Sequence, residues 1–424
     1  MSGHVTRFNL KRFRNSVCVK KVTVEFDVVV IGAGPCGSFS ALAAARLGVK
    51  VGVFEEHSSV GAPCHCAGHL SLKGLQRLGL KSSSPFVENL FNNATFFSPL
   101  GTRFCIRFPS QLTCVVNREI FDQCLADTAT RSGAQYFFNA QVKSLLREHG
   151  AVKGIVVQRK NKIEKVYSKT IIDAEGIAST FLKNAGLKPL NSKLLVKAAS
   201  ATVENVRDVE IDGVEVYFGR TFADGFYAWI IPKRDGTAKI GLATTRNNPK
   251  NCLEFFIKKH KIASSKLGRS KILSLSYHAI PLGGPISKTY AEGFLAVGDV
   301  ASQVKPTTGG GVIMGLTCAQ IAGKVAALAV KENDFSEGFL NCYEAEWKRK
   351  IGLDMRVMLF VRKLLNRLSD HEIDKLFHVA ARLRLNEALA RVEDVDFQGN
   401  TLFRLAKSPS TAATFAYFFF SAFT

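Results

Sequence analysis

Two groups of side chains in this sequence have types and spacing suited to chemistry. The first is Cys64-His65-Cys66-x-x-His69, two thiols and two imidazoles within six residues. Such groups bind metals or act as nucleophiles and acids. Four ligands so close in sequence cannot easily wrap one ion, and no second ligand cluster is evident, so no metal is expected. Cys66 is then either a working thiol or a passive wall. The second group is Tyr227-Ala-Trp229. In a strand these rings point to one face and could flank a flat or extended ligand. They would serve equally well as sheet core.

The elements that must position these groups begin at Asp27-Val-Val-Val-Ile-Gly-Ala-Gly-Pro-Cys-Gly-Ser38. A short apolar strand feeds Gly32-x-Gly34-x-x-Gly37, and a helical pattern follows. The first glycine permits the turn, the second a close approach to phosphates, and the third close packing of helix on strand. The helix N-terminus adds free N–H groups. Eighteen residues beyond Gly37, the strand ending at Glu55 places an acid for a ribose. The helix should run from Pro35 to a stop at Gly48, with Phe39, Leu42, Ala43 and Leu47 as its inner face. Cys36 reads as a small packing residue, not a redox thiol. A second helix should start near Arg118, and a strand should end at Asp173. From 194 to 283, short strand-like runs predict an antiparallel sheet. Gly293-Phe-Leu-Ala-Val-Gly-Asp299 and the Gly309–Gly311 run return to α/β character, and the remainder is helical.

The bulk numbers set limits. The 424 residues suffice for two domains, and 46% are hydrophobic. The ten cysteines are scattered, which suits reduced thiols in a cytosol-like compartment. Lys and Arg exceed Asp and Glu by 57 to 35, a formal charge of +22. That excess favours an anionic partner. No nucleic-acid motif accompanies it, so nucleic acid is not expected. Residues 1–25 carry six basic residues and no secretory h-region, and disorder is expected there. No run of about 20 apolar residues predicts a transmembrane helix. The apolar stretch 411–424 is expected to pack on the body as a helix. Lys348–Arg367 holds seven basic residues among Met355, Met358, Leu359, Leu364 and Leu365; it reads first as a helix with one buried and one solvated face, and alternatively as a basic amphipathic helix near a membrane.

Together GAGPCG with Glu55, the Arg118 segment and Val297-Gly-Asp299 resemble the FAD-binding pattern of the flavoprotein monooxygenase-like class. Within it the chain is similar to the geranylgeranyl reductase family, on its archaeal digeranylgeranylglycerophospholipid reductase side. Pro63-Cys-His-Cys66-Ala-Gly68, Tyr227-Ala-Trp229-Ile-Ile-Pro232 and Gly298-Asp299 through Gly309-Gly-Gly311 carry the resemblance, over about residues 26–330. Ile231, Ile240 and Glu175 depart from the family pattern.

The resemblance implies an α/β fold: a discontinuous Rossmann-like FAD-binding domain (26–80, 110–190 and 285–334), an inserted antiparallel β-sheet substrate domain (81–109 and 191–284), and a helical C-terminal region (335–424). It implies that Gly32, Gly34, Cys36 and Gly37 line the pyrophosphate and Glu55 holds the ribose. Cys66, Ala67 and Gly68 would pass the flavin, Arg118 would reach the cofactor, and Val142 would sit near the adenine. Asp299 would bind ribityl or pyrophosphate groups, while Gly311 and Val312 would present N–H groups to the ring. Tyr227 and Trp229 would wall the substrate channel, with Cys66, then Tyr227, as proton donor. The implied activity is hydrogenation of polyprenyl double bonds in membrane ether lipids. NADPH or a ferredoxin-like protein would be the reductant, and the enzyme would be cytoplasmic at an anionic membrane surface. The alternatives are a flavin-dependent monooxygenase or halogenase, or a non-catalytic membrane-associated flavin-binding protein.

Overall fold

The computed structural model describes residues 24–160 and 162–399, with Ala412, Thr414, Tyr417 and Phe418. The N-terminal extension up to residue 23 and most of the apolar C-terminal stretch lie outside the described residues. Phe418 packs with Leu364 and Leu368.

The opening strand, Val24–Ile31, is apolar throughout its second half, as a strand covered on both faces must be. Val28 and Val30 face one layer of the core, Val29 and Ile31 the other. The strand pairs in parallel with Val51–Phe54 on one side and Lys162–Asp173 on the other. Gln135–Phe137 and Phe294–Ala296 extend the parallel sheet at its two ends. The hairpin of Ala140–Glu148 and Ala151–Arg159 joins the first half of Lys162–Asp173 in antiparallel fashion.

Helices Pro35–Ala45, Arg118–Arg131 and Val312–Glu332 cover the Val28/Val30 face. The first was expected to have one inner face. Instead, residues from Gly37 to Leu42, with Ala44 and Ala45, are all buried, and Ala43 and Leu47 are only half-buried. The helix is packed against both the sheet and Val312–Glu332, so it keeps almost no solvent face. Val312–Glu332 is long and apolar enough to cross a membrane, but 78% of its apolar window is buried in this core. Its composition is that of a central helix.

A second sheet has the order Lys271–Pro281, Leu195–Glu204, Ala238–Thr244, Ala228–Pro232, Gly213–Tyr217, Asn93–Phe97, Arg103–Arg107. All its pairings are antiparallel except that of Gly213–Tyr217 with Asn93–Phe97. Helix Pro249–Lys258 seals one face through Cys252, Leu253, Phe256 and Ile257. The other face carries Val196, Ala198, Phe226, Trp229 and Ile231.

The basic segment 348–367 is helical with one buried and one exposed face, as its first reading expects. Lys348–Gly352 is a π-turn leading into helix Leu353–Leu365, whose Met355, Met358, Arg362 and Leu364 are buried. Lys348 pairs with Glu344, and Arg349 and Lys350 pair with Glu346, so the charge at its start is largely neutralised.

Candidate active site

Backbone geometry builds the loop end of the site. Gly32 has φ +88°, and a Cβ there would lie 2.6 Å from the Ala174 carbonyl oxygen. A Cβ at Gly37 would lie 1.9 Å from the Gly32 carbonyl oxygen, so only glycine lets the helix start directly against the turn. Gly34 differs: a Cβ there would meet nothing within 4 Å. It lines the cavity. Helix Pro35–Ala45 begins at Gly34 and Val312–Glu332 begins at Gly311, and neither has a side-chain cap. Both N-termini thus leave donors and positive dipole ends available to an anion.

These termini open on one cavity of about 910 Å³. It runs between the parallel sheet and the inner face of the second sheet. Gly32, Gly34, Cys36, Glu55, Cys66, Ala67, Gly68, Arg118, Val142, Tyr227, Trp229, Asp299, Gly311 and Val312 all line it. Gly37 does not: it stands behind the loop, packed on Gly32.

Glu55 accepts the Ala33 N–H at 2.7 Å through Oε2, while His57 contacts Oε1 through its N–H and Nδ1. The carboxylate therefore braces the glycine loop from the neighbouring strand. Cys36 points away from chemistry: a Cβ at Gly315 would lie 2.5 Å from its Sγ. Burial pushes this thiol well above its ordinary range.

Arg118 forms a two-point pair with Asp122, four residues on, with Nε–Oδ1 and Nη2–Oδ2 both at 3.0 Å. Burial acts to lower its pKa, but Asp122 outweighs that and locks the guanidinium in its charged form. Cys64 and Cys66 lie within its field. Asp299 is half-buried on the cavity wall, and its carboxyl is raised by desolvation and only partly drawn back by Arg118.

The cysteine–histidine cluster is dispersed. His69 contacts the Thr113 hydroxyl at 2.8 Å. His65 stacks on His278 with centroids 6.3 Å apart. The Gly68 N–H donates to the Cys66 Sγ at 3.4 Å, holding the thiol at the cavity wall.

Tyr227 is anchored through its hydroxyl. Its hydroxyl donates to the Thr308 carbonyl at 2.7 Å, and burial raises its pKa strongly, with Arg362 opposing. A proton held this way is poorly placed for transfer. Tyr227 instead stacks on Phe226 at 4.2 Å and meets Trp229 edge-on at 6.2 Å. Trp229 lies over Gly241, where a Cβ would come within 2.4 Å of the indole.

Sequence reasoning missed several groups. Asp122 was legible at helical i+4 spacing from Arg118. His278 was not: only the register of strand Lys271–Pro281 turns it into the cavity. Its Nδ1 has no partner among the described residues, and burial, then His65 and Arg118, pull its pKa down to about 4. Buried Arg362 lies 5.8 Å from the Phe226 ring centroid and donates to the Pro306 carbonyl. The loop beginning at Lys305 is clamped from the C-terminal region. Lys305 Nζ reaches Asp396 at 2.9 Å, Arg77 Nη2 reaches the same carboxylate at 3.1 Å, and Thr307 donates to Gln398 at 2.6 Å. Tyr343 donates to the Ala296 carbonyl and accepts from Gln303, whose Oε1 accepts the Gly298 N–H. These bonds fix the turn that carries Asp299.

An elongated ligand with two phosphates fits this cavity: open space beside the Gly34 backbone, two uncapped helix starts, a charged Arg118 and a brace at Glu55. The comparisons agree. An FAD-binding-domain family model matches residues 25–350. Digeranylgeranylglycerophospholipid reductase of Methanocaldococcus jannaschii is 35% identical over 362 residues, which cover 84% of this chain and 91% of that one. Among solved structures, a geranylgeranyl bacteriochlorophyll reductase-like protein from Thermoplasma acidophilum superposes with TM-score 0.82 at 25% identity, covering 93% of this chain and all of that one. A flavin-dependent brominase shares the fold at TM-score 0.70 and 18% identity, covering 93% of this chain and 98% of that one. The cofactor is FAD, and the chain belongs to the digeranylgeranylglycerophospholipid reductase family of FAD-dependent oxidoreductases.

Proposed function

We propose that this enzyme hydrogenates carbon–carbon double bonds of geranylgeranyl chains carried by an ether phospholipid. The observation that carries the reading is the division of the cavity. One end is polar backbone and charge, and the other is walled by Ala67, Tyr227, Trp229, Ile231 and Ile280. An isolated trisubstituted alkene offers no polar handle, so it can be held only by apolar walls that also exclude water. The relatives' names supply the substrate class. The division of the chain at 81–109 and 191–284 belongs to the same reading, the second sheet being the substrate side.

When bound and reduced, FAD supplies the hydride. Its ribose and pyrophosphate would be held by Glu55, Gly32, Gly34 and Asp299, with N–H groups of Gly311 and Val312 toward the ring. The protein must deliver a proton to the second alkene carbon. Cys66 is assigned that proton, because its thiol stands in the cavity wall. Water then returns the proton to sulfur. Tyr227 and Trp229 orient the chain. NADPH docking transiently, or a ferredoxin-like protein, would restore the reduced cofactor; the sequence holds no second Gly-x-Gly-x-x-Gly unit for a stable nicotinamide domain.

Co-expression with a pathway making unsaturated digeranylgeranyl ether lipids tests the reading. Mass spectrometry of the lipids should show gains in steps of two hydrogens. Unchanged lipids, with holoenzyme present and a working reductant, would sink it.

A further inference from the structure

The strand that walls the cavity also continues out of it. In Lys271–Pro281, His278, Ala279 and Ile280 line the cavity. Toward its start, Ile272, Leu273, Leu275 and Tyr277 are 43–49% exposed. The strand is at the edge of its sheet, pairing only with Leu195–Glu204. Its register sets Tyr277 opposite Ala199, Leu275 opposite Ala201 and Ile272 opposite Val203. Those partners pack with Leu253 and Phe256 of helix Pro249–Lys258, so the exposed side chains share that helix's side of the sheet.

Long exposed apolar edges invite unwanted pairing, and proteins normally blunt or cover them. Here the edge adjoins a one-signed charge field. From residue 255 to 291 there is no Asp or Glu; of the cations in this stretch, Lys266, Lys271 and Lys288 pair with Glu215, Glu204 and Glu337 from other segments. Lys258, Lys259, Lys261 and Arg269 are exposed and have no acidic partner among the described residues. This contrasts with Lys348–Lys350, whose charges are paired.

We propose that the edge strand Lys271–Pro281 and the exposed cations Lys258, Lys259, Lys261 and Arg269 form the surface that docks on an anionic lipid bilayer. The apolar side chains sink into the headgroup boundary and the cations meet anionic lipids. A second copy of this chain is the poorer occupant, because pairing two such edges brings together two acid-free segments.

This inference rests on the lipid-reductase reading, and the test separates the two. Holoenzyme is sedimented with vesicles of phosphatidylcholine alone or mixed equally with phosphatidylglycerol. Wild type should prefer the anionic vesicles by about tenfold or more and lose that preference in high salt. Lys258→Glu/Lys259→Glu/Lys261→Glu, and separately Leu275→Glu/Tyr277→Glu, should each weaken vesicle binding by about tenfold or more. Both variants should reduce detergent-dispersed lipid within about twofold of wild type. Equal binding to both vesicle types, or variants that bind like wild type, would overturn the surface. So would a wild-type dimer that the Leu275/Tyr277 variant splits while vesicle binding persists. Failure of wild type to reduce detergent-dispersed lipid would instead overturn the reductase reading.

Discussion

At the loop side of the cavity, geometry is carried by backbone: Gly37 meets the Gly32 carbonyl, and two helix starts are left uncapped. At the sheet side it is carried by side chains, with Trp229 lying over Gly241 and Tyr227 tied to Thr308. A backbone site cannot shift without losing its turn, so it tolerates little change and recognises what all dinucleotides share. A side-chain wall can be re-cut one residue at a time. That is why the flavin-dependent brominase keeps the fold at 18% identity. The cofactor half states a chemistry in common, while the substrate half must be read from its own walls.

The largest effect should come from removing what joins the two sides. Asp396 has a fully buried side chain between Lys305 and Arg77. Asp396→Ala leaves Lys305 buried without its partner and should cost about 3–5 kcal/mol in urea unfolding. The pH dependence has a definite sign. Burial alone would raise the Asp396 carboxyl, but Lys305, then Ser71 and Arg77, hold it below its ordinary value. Its stabilisation is therefore complete above about pH 4, the unfolded value, and is lost as pH falls through the lower folded value. The variant should lack that acid limb.

Next in size, Gly37→Ala should break only the backbone side. Its Cβ cannot fit against the Gly32 carbonyl, and FAD affinity in fluorescence titration should fall by about a hundredfold, equal to about 2.7 kcal/mol. Normal affinity would mean that the loop is not held by this contact.

Cys66→Ser sharpens the comparison at the point where the sides meet. Flavin content and flavin reduction should persist, while alkene turnover falls about tenfold, the contribution of a weakly placed acid. Unaltered turnover would remove the thiol from the reaction. The smallest effect belongs to the sheet wall. Trp229→Phe should thin this wall and raise KM by about three- to tenfold with FAD affinity unchanged. A loss of FAD instead would show that the two sides are not separable.

The contrast also explains what was legible in the sequence. The glycine loop, Glu55 and the helix starting at Arg118 are local: strand, turn and cap follow each other within a few residues. The antiparallel character of the second sheet was legible from short alternating runs. The parallel pairing of Gly213–Tyr217 with Asn93–Phe97 was not, because it joins segments more than a hundred residues apart. His278 enters the cavity through strand register, and Arg362 becomes buried through helix packing. Asp396 reaches Lys305 across 91 residues and Arg77 across 319. No local periodicity encodes such meetings. In the basic segment 348–367 the charge and the buried face were legible, but the acidic partners of its first cations were not.

The most direct test of the central claim removes the unsettled electron donor from the question. Holoenzyme reduced chemically under anaerobic conditions is mixed with digeranylgeranyl phospholipid, and the lipid mass and flavin absorbance are followed in one turnover. The account predicts reoxidation of the flavin at the rate at which the lipid gains two hydrogens. Flavin that stays reduced beside unchanged lipid, and reoxidises only when oxygen is admitted, would contradict it.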